Sequence, residues 1–149
     1  EMTDGNNFFL RSNPEITLTS PSAARQVITV GGYQASNTSI YADSGRGYTT
    51  TGEIKPDFVA PAVDVYGPGL RNNFITFTGT SAAAAITAGA CAQIMQWAIV
   101  DQNNTIMSHT SIKNMLIRGT AKPENRTYPN REWGYGTLDV YGAFQNLRL

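Results

Sequence analysis

Ser81 is the residue best placed to do chemistry. It closes Gly79-Thr80-Ser81, a turn between the β-branched and aromatic run Phe74-Ile75-Thr76-Phe77 and a long run of helix formers from Ala82 onward. A serine at that junction lies at or near a helix N-terminus. Backbone N–H groups there lack intrahelical partners, and the helix dipole favours negative charge. A serine hydroxyl that attacks a carbonyl generates an oxyanion, and such groups, the Ser81 N–H among them, are suited to hold it. Position alone fits a plain N-cap better, because serine is a favoured cap and nucleophiles are rare.

A nucleophilic serine needs a general base within hydrogen-bond reach. The chain has a single histidine, His109, in the turn before a second helix expected near Ser111–Arg118. A helix from Ser81 to Val100 would span about 28 Å, so His109 would have to fold back along that whole length. It reads as a surface or cap residue. Cys91, the lone cysteine, excludes an intrachain disulfide framework and reads as a small buried hydrophobe. No Cys/His cluster suggests a metal site. Arg46, between Gly45 and Gly47, reads as a turn arginine in water.

The elements that must position Ser81 follow from composition and pattern. The chain has 149 residues, 41% hydrophobic and 15% charged with no net charge. That suits one domain with a real core and gives no basic face, so nucleic acid is an unlikely partner. The stretch Asn73–Val100 carries no Asp, Glu, Lys or Arg, and its helix begins with four alanines. Small residues let other backbone approach closely, so the helix is expected to be buried on most sides. The same stretch is long enough to span a membrane, but its Ala, Gly, Ser and Thr content, two Gln and internal turn argue against it. Strands are expected over Gln26–Tyr33, Thr38–Ser44, Phe58–Ala60 and Val63–Tyr66, with a short one around Ile16–Leu18. In the second helix Ile112, Met115 and Leu116 share one face, with Ser108 or Thr110 as cap. Trp133–Tyr135 reads as an aromatic turn packed on the core, and Thr137–Leu147 ends in a helix. Short strands around one long helix fit an α/β layer fold. Three tripeptides beginning at Asn37, Asn103 and Asn125 match glycosylation sequons and are read as chance.

Gly79-Thr80-Ser81-Ala82-Ala83-Ala84-Ala85, followed by Ala88-Gly89, resembles the nucleophile motif of subtilisin-like serine proteases, Gly-Thr-Ser-Met-Ala-x-Pro and then Ala-Gly. Ala82 stands for the methionine and Ala85 for the proline. Lys55-Pro56-Asp57-Phe58-Val59-Ala60-Pro61 is similar to the family's Lys-Pro-Asp-x-x-Ala-Pro segment, and Val27-Ile28-Thr29-Val30-Gly31-Gly32 to its Val-Ile-x-Val-Gly-Ala strand. Trp133-Gly134-Tyr135-Gly136-Thr137-Leu138-Asp139-Val140 is similar to its C-terminal Gly-x-Gly-x-Leu-Asn-Val. The four motifs stand in the family's order between Pro21 and Phe144. The run Tyr128–Gly136, with Ala85 in place of the proline, resembles the clostridial Csp-type germination proteases.

The resemblance implies the C-terminal half of a doubly wound, mostly parallel sheet with a central buried helix. Residues 1–20 would be a loop returning from an inserted domain, and residues 21–149 the C-terminal part of the catalytic domain. It implies Ser81 as nucleophile within the Gly79-Thr80-Ser81 motif, the Ser81 N–H as an oxyanion donor, and a cis bond at Ser20–Pro21. The family's oxyanion asparagine sits in a Gly-Asn pair, but Gly5-Asn6-Asn7 lies too far from the Val27 strand to supply it. Its Asp and His come from the N-terminal half, and no histidine precedes Ser81. The chain is therefore expected to be inert alone and to need that N-terminal portion, with a protein or peptide as substrate. No cofactor is required. The family admits a structural calcium ion, although no cluster of acids marks a site. The resemblance points to a bacterial source and leaves spore association and secretion both open. Two other readings stand: an inactive subtilase-like pseudoprotease serving as a regulatory or binding module, and a serine hydrolase with Gly79–Ala83 as a degenerate Gly-x-Ser-x-Gly elbow and His109 as base.

Overall fold

A computed structural model describes residue 11 and residues 13–146. Its first sheet has strand order β2-β1-β3, formed by β1 (Val30–Gln34), β2 (Ser39–Ile40) and β3 (Phe58–Pro61). β1 runs parallel to β3, with Val30 opposite Phe58 and Gly32 opposite Ala60. The short β2 closes an antiparallel hairpin on β1. Along the other edge of β3, Val59 N–H donates to the Gly136 carbonyl and Leu138 N–H to the Val59 carbonyl. Phe58, Val59 and Ala60 are inaccessible, their alternating side chains packed into the two core clusters, and a strand buried on both faces reads as an unbroken apolar run rather than an alternating one. β4 (Val65–Pro68) and β5 (Phe74–Phe77) form a separate antiparallel hairpin. The strand expected over Thr38–Ser44 is only the two-residue β2, because the chain turns at Ala42-Asp43, with Ser44 N–H on the Tyr41 carbonyl at 3.0 Å. Ile16–Leu18 forms no strand, although Thr17 N–H bonds to the Arg46 carbonyl at 2.9 Å.

Helix α1 (Thr80–Met95) lies on β1 and β3 and continues as a π-helical turn, Gln96–Val100. Thr80–Val100 would be long and apolar enough to cross a membrane by length and composition alone. In the fold its stripe Ala83, Thr87, Ala90 and Ile94 is buried against the sheet. Ala83 meets Ala60 and Ala62, so backbone approaches backbone with no large side chain between. Farther along, Ala90 and Ile94 join Phe58 and three residues of α2 (His109–Gly119), namely Ile112, Met115 and Leu116. Those three are the predicted face of α2, and Ser108 is its cap, its side chain accepting from Ser111 N–H. Helix α3 (Val140–Gln145) packs on α2 and is capped by Asp139, which accepts from Gly142 N–H.

α1 is central but covered on one stripe only: Ala84, Ala85, Ala88, Gly89 and Ala92 on its other side are exposed. A helix with apolar residues all round usually lies in an interior; here the described residues cover it along that one stripe. Cys91 is half-buried beside the core cluster, and burial pushes its thiol up. Arg46 is not a solvated turn residue. It is half-buried, pairs with Glu132 at 3.3 Å, and its Nε finds no hydrogen-bond acceptor among the described residues.

Candidate active site

The turn before α1 is built by two glycines. Gly79 is the N-cap at φ 141° and ψ 160°, a region essentially closed to residues with a Cβ. Its N–H donates to the Ala62 carbonyl at 2.7 Å, tying the turn to the end of β3. Gly32 makes the second contribution: a Cβ there would sit 2.6 Å from the Ala62 Cβ and 3.4 Å from the Thr80 Cγ2. Only a bare backbone lets β1 pass so close beneath the turn.

With Gly79 as cap, Ser81 is the second residue of α1 and its side chain is exposed. This removes the plain N-cap reading of the serine, because the capping position is occupied by glycine. Ala82 N–H bonds to the Gly79 carbonyl at 3.0 Å. The N–H groups of Thr80 and Ser81 precede any intrahelical acceptor and find none elsewhere among the described residues, at the positive end of the helix. Ser81 thus presents a hydroxyl and an amide donor in one place, with no acidic side chain in the first turn of the helix to oppose an anion.

The turn stands between two cavities. Thr80 lines one of about 570 Å³, whose polar wall includes Thr17, Thr19, Ser22, Asp43 and Ser44. Ser81 lines the other, about 580 Å³ and mostly apolar, with Ala82 and Ala85 on the helix side and Tyr66, Gly67 and Phe77 on the hairpin side. Ala82, where a methionine is usual in the motif, leaves that second cavity open. A group held across Ser81 therefore has a polar recess on one side and an apolar one on the other.

The structure does not bring His109 to this site. It is the exposed first residue of α2, hydrogen-bonded to Thr110 Oγ1 at 3.1 Å. Asn104 N–H bonds to the Ala98 carbonyl, which holds that connection at the far end of the helix, about 25 Å from Ser81 at 1.5 Å per residue. Asn6 and Asn7 lie outside the described residues. Among the described residues no group of three or more His, Cys, Asp and Glu could hold a metal ion. The Thr17–Ser22 wall and the Tyr66 rim were not singled out as site residues from the sequence. No local pattern marks them, since the first comes to the Thr80 cavity and the second to the Ser81 cavity from other segments of the chain.

A family model described as the subtilase family matches residues 3–136. The chain belongs to that family. Serine protease AprX of Bacillus subtilis (strain 168) is 32% identical over 85% of this chain and 30% of its own length. The membrane-bound transcription factor site-1 protease of Mus musculus is 31% identical over 88% of this chain and 12% of its own length. The structure of the Clostridium perfringens CspB protease matches with a TM-score of 0.88 at 33% identity, over 93% of this chain and 30% of that one. This subtilase chain thus spans about 30% of the length of AprX and of CspB. The CspB match supports the Csp-type branch and the α/β layer architecture read from the sequence. Ser20–Pro21 is cis, as the resemblance implied.

Proposed function

We infer that this chain is the C-terminal, nucleophile-bearing portion of a subtilisin-like serine endopeptidase. The observation that carries the reading is the exposure of Ser81 on the first turn of α1, beside N–H groups with no acceptor among the described residues, in a turn whose Thr80 and Ser81 each line a cavity. Ser81 Oγ attacks the carbonyl carbon of a scissile peptide bond, and its proton passes to a base. The resulting oxyanion is held by the Ser81 N–H, a contact that strengthens as charge develops. Collapse expels the amine, which takes that proton from the base as the C–N bond breaks, and leaves an acyl group on Ser81, which water then removes. The base and its orienting acid come from the portion of the protease outside this chain, so the chain alone is inactive. That portion also covers the exposed alanine face of α1. The substrate is a protein or peptide lying across the Gly79–Ser81 turn.

The test is fluorophosphonate labelling of the full-length protease, with the adduct mapped by mass spectrometry. A phosphonate on Ser81 in the whole protein, and none on the isolated chain, is the expected result. A folded, mature protease without the adduct would reverse the reading in favour of an inactive relative that binds without cleaving.

A further inference from the structure

Ser81 heads the exposed stripe of α1 that continues through Ala85, Ala88 and Ala92. Residues at these spacings share one side of a helix. The cavity of about 580 Å³ that Ser81 lines opens at the start of that stripe, with Ala82 and Ala85 in its helical wall and Gly67 and Phe77 in its hairpin wall. No charged side chain lines it among the described residues. The Thr78 hydroxyl in its wall already accepts from Asp64 N–H at 3.1 Å. The space therefore suits an apolar group better than a polar one. Strand pairing fixes the hairpin wall, with Val65 opposite Phe77 and Gly67 opposite Ile75. A Cβ on Gly67 would stand 3.5 Å from the Phe77 ring. The helical wall is bare because Ala82 and Ala85 are small. Methionine in place of Ala82 would project a flexible thioether into the same space.

The chemistry of Ser81 says which part of a substrate lies there. On the protease reading above, the base belongs to the portion of the protease outside this chain, and that portion covers the exposed stripe of α1. The base then reaches Ser81 from the side of Ala85. The same base gives its proton to the departing amine, so the nitrogen of the scissile bond must lie within hydrogen-bond reach of it. The leaving half of the substrate is therefore on the Ala85 side of Ser81, where this cavity begins.

We propose that Ala82 is a specificity-determining residue. By leaving this cavity open, it lets the protease accept a large apolar side chain on the first residue of the amine product. The proposal rests on the protease reading. The occupant is substrate because Ser81 itself lines the cavity, and the atoms joined to the carbonyl that Ser81 attacks must lie against it. The walls stand on a paired hairpin and the first turns of a helix, so they are preformed and lose little freedom when a side chain enters.

The test is acyl transfer by the full-length protease. A peptide thioester whose acyl part matches a sequence the protease cleaves acylates Ser81, and the thiol leaves with the Ser81 proton. The acyl-enzyme then partitions between water and an added amino-acid amide. With the amide, the amine nitrogen bonds to the acyl carbon, the bond from that carbon to Ser81 Oγ breaks, and an amine proton returns to Oγ through the base. This step is the reverse of acylation by a peptide, so the amide occupies the leaving side. Leucinamide and alaninamide have similar basicity, and the ratio of their transfer products does not depend on how much enzyme is folded. Leucinamide is expected to be favoured by about tenfold, the effect of burying most of an isopropyl group. Ala82→Met should bring that ratio to about one by filling the space. Phe77→Ala, in the hairpin wall, should lower it by removing contact. A ratio near one in the unsubstituted enzyme overturns the proposal. An unchanged ratio in Ala82→Met also overturns it, since the N-terminal portion then fills the cavity. If no acyl-enzyme forms and fluorophosphonate leaves Ser81 unlabelled, the protease reading fails and the proposal with it, whereas acylation with a flat ratio removes the proposal alone.

Discussion

Asp57→Asn is expected to destabilise the full-length protease by about 3–5 kcal/mol, the range for breaking a buried ion pair from one side. The estimate follows from three side chains. Asp57 Oδ2 accepts from Lys55 Nζ at 2.9 Å and Asp57 Oδ1 from Lys113 Nζ at 2.9 Å. The carboxylate also accepts from Thr29 N–H at 2.7 Å, and Lys55 Nζ donates to the Val27 carbonyl at 2.8 Å. Side-chain exposure is 3% for Asp57 and 2% for Lys55, so water compensates neither. Asparagine keeps an acceptor for Thr29 but leaves two ammonium groups facing each other. Lys55→Met should cost less, about 1–3 kcal/mol, because Lys113 and Thr29 still satisfy the carboxylate. The double variant Lys55→Met/Asp57→Asn should cost less than the sum of the two, since the stranded charge is gone. Urea unfolding followed by Trp133 fluorescence reads each loss as a fall in midpoint at constant slope. Sign also matters. Burial pulls the Lys55 ammonium below its ordinary range, against a smaller upward pull from Asp57. Between that lowered value and the unfolded one the unfolded chain binds more protons, so this residue's contribution rises with pH there. Removing Asp57 should widen the window downward. A loss below about 1 kcal/mol for Asp57→Asn, or strict additivity in the cycle, would refute the argument that these charges hold one another.

Three further outcomes follow from the same geometry. Gly79→Ala should cost about 1–3 kcal/mol through strain at its φ of 141° and slow phosphonate labelling of Ser81 more than it lowers the thermal midpoint. Ala83→Leu should destabilise by about 1–3 kcal/mol or more, because Ala83 is inaccessible between Ala60 and Ala62; a neutral change in urea midpoint would show that α1 can lift from the sheet. His109→Ala should leave peptide hydrolysis by the full-length enzyme unchanged, whereas a loss of kcat would revive the elbow reading.

Much of the local structure could be read directly. The period of Ile112, Met115 and Leu116 gave the buried face of α2, and Ser108 its cap. The β-branched run Phe74–Phe77 is a strand and Gly79-Thr80-Ser81 leads into the helix, so the position of the candidate nucleophile was legible as well. Each of these depends on residues a few positions apart, where side-chain period, turn chemistry and end effects decide the conformation.

What lay beyond reach joins residues distant in the chain. Nothing in the sequence near Asp57 announces that Lys113 will reach it, nor that Arg46 will pair with Glu132 across a half-buried contact. The one-sided burial of α1 has the same origin. Its composition is uniform around the axis, so sequence fixes only that it is apolar, and the sheet chooses the stripe Ala83, Thr87, Ala90 and Ile94. The sequence by itself determined the elements, their order and the serine at their junction, because those are short-range properties of the chain. Only the tertiary structure decided that Gly79 rather than Ser81 caps the helix, which walls surround Ser81 and which charges share Asp57, because these depend on the close approach of segments whose separation the backbone does not encode locally.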